Sequence, residues 1–518
     1  MTMPRLPLST LCLALWSCAV PATTQRTLPN AGPAAEGDAP PALDAIVQAD
    51  ISRDLHALAG DRFRGREAGT LDELRASVWL VERMREAGLD PAGDDGTYYQ
   101  WVPMRRLRQA DDGTIAVGAT TMRLFEDAVT LAPTDLSVDA PLVYVDASSS
   151  ASAADVRGKA VATALVASST NLLPIPAGGT ARPFSAAAAV RRTAARFLDM
   201  GAVAVVVVSD SAAESTFARA FDTMARGRYG VDTASATAYW PDATSGARRP
   251  AAPPIVWVRS RMLQALQQTG QRLTARLTTE NFVYPTVNLV GRVRGADPRL
   301  RDEYVLYSTH QDHDGVRTAI DGDSIWNGAD DNGTGSVANL AIARAFAKSP
   351  GKRSVLFVWH GAEERGLIGS RYHAMHPVVA RQQIVAVLNG EMIGRNHPDS
   401  MTILGAIPPH RNSTVLVDMA RQANDRVAQF ELDTLWDSRT HPQGWYFRSD
   451  HLPYARLAIP AIEFSSNLHA DYHTPRDDPS RIDYGKLTRV ARWMYATGWL
   501  VANADQRPPV DPGFKLER

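Results

Sequence analysis

The chain has 518 residues, 45% apolar and 21% charged, too long for one ordinary domain and ordinary in composition for a globular protein. Lys and Arg number 55 against 56 Asp and Glu, a formal net charge of −1. There is no basic field to suggest nucleic acid, and no acidic tail to suggest a chaperone or a calcium buffer.

Residues 1–22 read as a secretory signal. Arg5 supplies the positive start, Leu6 to Val20 is mostly apolar and too short to span a bilayer, and Val20-Pro21-Ala22 offers small residues for cleavage. The protein is therefore expected to be exported, periplasmic or secreted. The alternative is a lipoprotein anchored at Cys18. Cys12 and Cys18 are the only cysteines, so cleavage after Ala22 leaves no disulfide and the fold must rest on its core. No later apolar run is long enough for a transmembrane helix. Residues 23–44, rich in Ala, Pro, Gly and Thr, read as a flexible leader.

Residues 45–128 open the main domain. The pattern predicts a helix over Leu71 to Ala87, with Thr70 as cap and Glu73 completing a capping box. Leu74, Val78, Val81 and Met84 form its apolar stripe, and Gly88 ends it.

Residues 129–279 change texture. Short apolar strands are predicted at Pro141 to Val145, Lys159 to Ala162, Ala202 to Val208 and Ile255 to Val258, with a helix over Ala186 to Met200. Glu214 to Pro254, polar and weakly patterned, reads as a long surface excursion. The block contains no His and reads as a small α/β domain inserted into the larger one.

Residues 280–505 alternate strands and helices, and 506–518 form a C-terminal tail. Strands are predicted at Tyr304 to Ser308, Ser354 to Trp359, Ile384 to Leu388 and Ala461 to Phe464. Helices are predicted over Ser336 to Ala347, Leu367 to Met375 and Thr414 to Val427. Continuous apolar strands separated by helices predict an α/β fold, with a mostly parallel central sheet covered by helices on both faces. Eleven of the twelve histidines follow residue 309, which places the chemistry here.

Ligand sites in such sheets lie beyond the carboxyl ends of the strands. His310-Gln311-Asp312, Glu363-Glu364 and Glu391 each follow an apolar run, and Asp471-Tyr472-His473 follows the last one. The Asp330-Asp331 turn precedes a helix N-terminus on the same edge. One Asp suffices to cap a helix; the second requires another role. Two histidines and three carboxylates, one shared, suit two metal ions with an open position each. Of the adjacent Glu363 and Glu364, one can bind metal while the other faces the bridging water as general base. Asp312 can accept the remaining ring N–H of His310 and fix its tautomer.

Five stretches occur in the order found in co-catalytic zinc aminopeptidases of the M28 family, and the chain resembles that family over about Thr286 to Leu487. They are Thr309-His310-Gln311-Asp312-His313, Asn327-Gly328-Ala329-Asp330-Asp331-Asn332, Ala362 to Ser370, Asn389 to Arg395, and Asp471 to Pro475. Phe63 to Thr70 extends the likeness more weakly, and residues 129–279 resemble the protease-associated (PA) insert of many members in position and texture. The resemblance implies two Zn2+ ions. His310 and Glu391 would hold one and Glu364 and His473 the other, with Asp330 bridging. Glu363 would be the general base, and Asp331 would shape a turn where the family often has a cis peptide after the bridging Asp. Tyr472 would polarise the scissile carbonyl. Glu391 departs from the family, which usually has Asp there.

The implied function is hydrolysis of N-terminal residues from peptides with a free amine. A carboxypeptidase or a one-metal glutaminyl cyclase on the same fold is the alternative, followed by an inactive receptor or scaffold. His313, His360, His451 and His469 are read as structural or rim residues. Asp450-His451 is read as lining the pocket, and Arg64-Gly65-Arg66 as a structural turn. Oligomeric state has no signature in the sequence.

Overall fold

The computed structural model describes residues 40–146, 149–165, 186–231 and 254–516. The signal-like stretch, both cysteines and most of the leader lie outside the described residues. Among the described residues no helix is long and apolar enough to cross a membrane.

The apolar runs of the second half become the strands of a nine-stranded sheet. We label β1 (Thr286–Val293), β2 (Tyr304–His310), β3 (Ser354–His360), β4 (Ile384–Glu391), β5 (Ser400–Leu404) and β6 (Ala461–Ser465). Their spatial order is β1-β3-β2-β4-β6-β5. The four central strands β3, β2, β4 and β6 run parallel, whereas β1 and β5 pair antiparallel at the margins. The centre is parallel as expected, and the sheet as a whole is mixed.

The runs are continuous because both faces are buried. Val305 and Tyr307 of β2 and Val355, Phe357 and Trp359 of β3 enter one core, while Leu306, Leu356 and Val358 enter the other. The larger core is covered by α1 (Leu71–Glu86), α2 (Gly335–Lys348), α3 (Thr414–Val427) and α4 (Tyr484–Asn503). Thr70 caps α1 by accepting the Glu73 N–H at 3.3 Å. The Glu73 carboxylate reaches one residue beyond the expected capping box and accepts the Gly69 N–H at 2.6 Å.

Residues 114–277 supply a second, eight-stranded sheet with its own two apolar clusters. It starts upstream of residue 129. The hairpin Thr114–Val117 and Thr120–Arg123 pairs onto Arg272–Leu277, through short strands with little apolar signal. The expected surface excursion from Glu214 is also corrected. Ser211–Arg226 is a helix, because Asp210 accepts the Ala213 N–H at 2.8 Å and Ala213 and Phe217 recur at helical spacing towards the core. Residues 232–253 of that excursion lie outside the described residues.

Phe346 of α2 is fully buried, 4.8 Å from the Tyr495 ring centroid and 5.9 Å from that of Tyr307. Phe346→Ala should cost about 3–5 kcal/mol by leaving a cavity between α2, α4 and the sheet. The measurement is the midpoint of chemical denaturation.

Candidate metal centre

Parallel strands bring their carboxyl ends to one edge, and the candidate residues gather there. His310 ends β2, Glu391 ends β4, Glu363 and Glu364 follow β3, and His473 lies in the loop after β6. The turn Ala329–Thr334 leads into α2 across the same edge.

Two groups of side chains form, and Asp331 belongs to both. In the first, His310 Nε2 lies 3.3 Å from Asp331 Oδ1 and 3.3 Å from Glu391 Oε2. In the second, His473 Nε2 lies 3.0 Å from Asp331 Oδ2 and 3.2 Å from Glu364 Oε2. His313 joins that second group, with Nδ1 2.8 Å from Glu364 Oε1 and 3.8 Å from Asp331 Oδ2. Donor atoms on a tetrahedral zinc at ~2 Å stand ~3.3 Å apart, so these spacings suit a shared ion. Both nitrogens of His313, Nε2 of His473 and Oε1 of Glu364 are buried without a hydrogen-bond partner. One nitrogen from each ring and the Glu364 oxygen can face a shared point, and such orphaned atoms fit a cation.

The expected bridge at Asp330 is corrected to Asp331. The Asp330 carboxylate turns away from both groups, accepting the Gly394 N–H at 2.7 Å and the Thr334 hydroxyl at 3.1 Å, and its Oδ2 stands 3.3 Å from His469 Nε2. Asp477 holds the turn by accepting the backbone N–H groups of Asp330 at 2.9 Å and Asp331 at 3.0 Å. The cis peptide lies between Asp331 and Asn332. Two adjacent aspartates thus divide the work, one anchoring the turn and one facing the site.

Asp312 acts through different atoms from those expected. Its backbone carbonyl stands 3.0 Å from His310 Nδ1, while its carboxylate accepts the Glu363 N–H at 3.0 Å and the Glu364 N–H at 3.4 Å. The carbonyl still fixes the tautomer that leaves Nε2 for the site. Asp314 does the same for His473, with Oδ2 3.3 Å from Nδ1. Glu391 accepts from Asn332 Nδ2 at 3.0 Å and Ser449 Oγ at 2.7 Å on one oxygen. These two contacts fix the Glu391 side chain.

Residues 288–498 match the family model described as peptidase family M28. The chain carries a peptidase family M28 domain. Aminopeptidase YwaD of Bacillus subtilis is 25% identical over 190 residues, covering 35% of this chain and 39% of that protein. Leupeptin-inactivating enzyme 1 of Streptomyces exfoliatus is 33% identical over 156 residues, covering 29% and 32%. The chain thus aligns with well under half the length of these curated relatives. Among solved structures, a zinc aminopeptidase from Bacillus subtilis superposes with a TM-score of 0.55 at 17% identity, covering 91% of this chain and 99% of that one. An aminopeptidase from Aneurinibacillus sp. strain AM-1 gives 0.54 at 18%, covering 91% and 97%. These two share the fold.

Charge in the M28 domain is uneven. Burial pushes the Glu363 carboxyl well above the usual carboxylate range, against the pull of His310. Burial would raise Glu364 as well, but His473 and His313 hold it well below that range. Burial pushes Glu391 up to about 7. Burial opposes charge on His473, yet Glu364 and Asp331 raise it to about 10. Carboxylates outnumber the cations available to them, which is the local field a divalent ion neutralises.

A cavity of about 420 Å³ opens over the M28 groups. Glu363, Leu367, Trp445, Phe447 and Tyr472 line it, together with Arg371, Arg448 and Arg456. The Tyr472 hydroxyl accepts from Arg448 Nη2 at 2.9 Å, leaving its own proton to point elsewhere. His451 lies beneath this wall, fully buried with Nδ1 2.6 Å from Glu463, so it is not part of the lining.

Arg66, read as part of a structural turn, has a structural role that reaches the site. It is 1% exposed and donates to the carbonyls of Gln311 at 2.8 Å, Asn327 at 2.7 Å and Gly328 at 3.0 Å. It ties together the two loops that present His310 and Asp331. Asp331→Asn should abolish stoichiometric binding of both ions. Asp330→Asn should keep both and lower the unfolding temperature, read by metal analysis and thermal melts of the two variants.

Proposed function

We propose that this chain is an exported, zinc-dependent aminopeptidase that removes N-terminal residues from peptides by a two-metal mechanism, with Glu363 as general base. The observation that supports it most is Asp331, whose two carboxylate oxygens face two separate ligand groups while Glu363 stands outside both. His310, Asp331 and Glu391 would hold one zinc, and Asp331, Glu364 and His473 the other. Bound zinc supplies an activated water and a polarised carbonyl.

The chain's own residues do the rest. Glu363 Oε2 lies 3.9 Å from His310 Nε2 on the cavity wall, within reach of a water between the groups. It accepts a proton from the attacking water and returns it to the amide nitrogen as the carbon–nitrogen bond breaks. The Tyr472 hydroxyl, oriented by Arg448, donates to the developing oxyanion. The free substrate amine would bind near the metals, which restricts cleavage to the first residue. Export rests on the leader sequence, and a PA-like role for the second sheet rests on its place in the chain.

A second reading, a carboxypeptidase, is favoured by Arg371, Arg448 and Arg456 in the same cavity, a chemistry suited to a terminal carboxylate. Mass analysis of products from free, N-acetylated and C-amidated peptides separates the two. N-acetylation should stop cleavage and C-amidation should not; the reverse pattern establishes the carboxypeptidase. Glu363→Gln should retain both zinc ions while kcat falls by about 10²–10⁴. Full rate with full metal content removes Glu363 from the mechanism.

A further inference from the structure

We propose that His313 is a fourth protein ligand to one of the two ions, so that the pair of metal sites is asymmetric. The inference rests on the two-metal reading above and concerns which residues complete each site. Asp331, Glu364 and His473 already converge on one point. His313 Nδ1 stands beside that point, 3.8 Å from Asp331 Oδ2 and 2.8 Å from Glu364 Oε1 without hydrogen-bond alignment. The His313 and His473 rings stand edge-on, with centroids 5.3 Å apart and planes at 89°, so that nitrogens of both face the shared carboxylates.

The ring is fully buried, and both its nitrogens lack any hydrogen-bond partner. A buried imidazole left in that state is costly unless it has a ligand to bind. Its place is also built. The His313 backbone N–H donates to the Arg66 carbonyl at 3.3 Å. Gly328, at φ 58°, leaves room for the ring, since a Cβ there would lie 2.3 Å from His313 Cγ.

The consequence is chemical. Four protein donors fill a tetrahedral zinc, which is the pattern of a closed, tightly held site. His310, Asp331 and Glu391 would give the other ion one protein donor fewer, so that site would be the more open of the two. The ion beside His313 would be the more tightly held of the pair.

Cobalt-substituted protein tests this. Each cobalt-bound imidazole gives one solvent-exchangeable, hyperfine-shifted N–H resonance. Three such signals are expected in the wild type, from His310, His313 and His473, and two in His313→Ala with both ions still bound at saturating metal. Calorimetric titration of metal-free His313→Ala should show one ion weakened by tenfold or more and the other unchanged. His313→Gln gives a second variant if the alanine form folds poorly, and the wild-type count needs no variant. Two signals in wild-type protein holding two cobalt ions overturn the assignment and leave the two-metal reading standing. Protein that binds fewer than two ions at saturation overturns the two-metal reading itself.

Discussion

Four carboxylates, Asp331, Glu363, Glu364 and Glu391, crowd one edge of the sheet with little contact with water. Unpaired, such a set is among the most costly arrangements a fold can hold, because each charge loses its hydration and repels the others. The surrounding structure answers that constraint. His310 and His473 stand against the carboxylates, and Asp312 and Asp314 fix how those rings present their nitrogens. Arg66 spends its guanidinium on backbone carbonyls of the loops that bear the ligands. A cation at each group would complete the balance that these residues only begin.

Positioning follows from the scaffold. In the order β1-β3-β2-β4-β6-β5 the chain crosses from one side of β2 to the other, so the carboxyl ends of β3, β2 and β4 frame a crevice. The α2 helix must enter that crevice closely for Asp331 to reach both groups. Gly335 permits it: a Cβ there would lie 2.5 Å from the Gly390 carbonyl, Thr309 Oγ1 and Asn332 Oδ1 alike. Asn332 then spans from this junction to Glu391, tying the helix start to the end of β4.

The second sheet is joined to the loops near the site through side chains. Asp222, on the helix Ser211–Arg226, accepts from Thr318 of the hairpin beside His313, and Arg226 pairs with Glu67 and donates to the Val316 carbonyl at 2.8 Å. Arg365, next to Glu364, reaches both Glu67 and Asp314. The second sheet thus contacts the same segment that carries His313 and Asp314.

The alternation of apolar runs and helices determined the strands, because a strand buried on both faces must be continuously apolar. The polar residues directly after each run determined which side chains could converge, since parallel strands share an edge. Two things were invisible at that level. Ser211–Arg226 hid its helix behind a polar, alanine-rich surface, and the strands near Thr114 were too short for periodicity to mark. The deeper limit lies at Asp330 and Asp331. Neighbouring residues of one type carry no sign of which faces inward; only the tertiary hydrogen bonds of Gly394, Thr334 and Asp477 turn one aspartate into the scaffold and the other into the site. His313 was likewise an ordinary histidine in sequence, and became a candidate ligand only when the fold buried it against Glu364 with nothing else to bind.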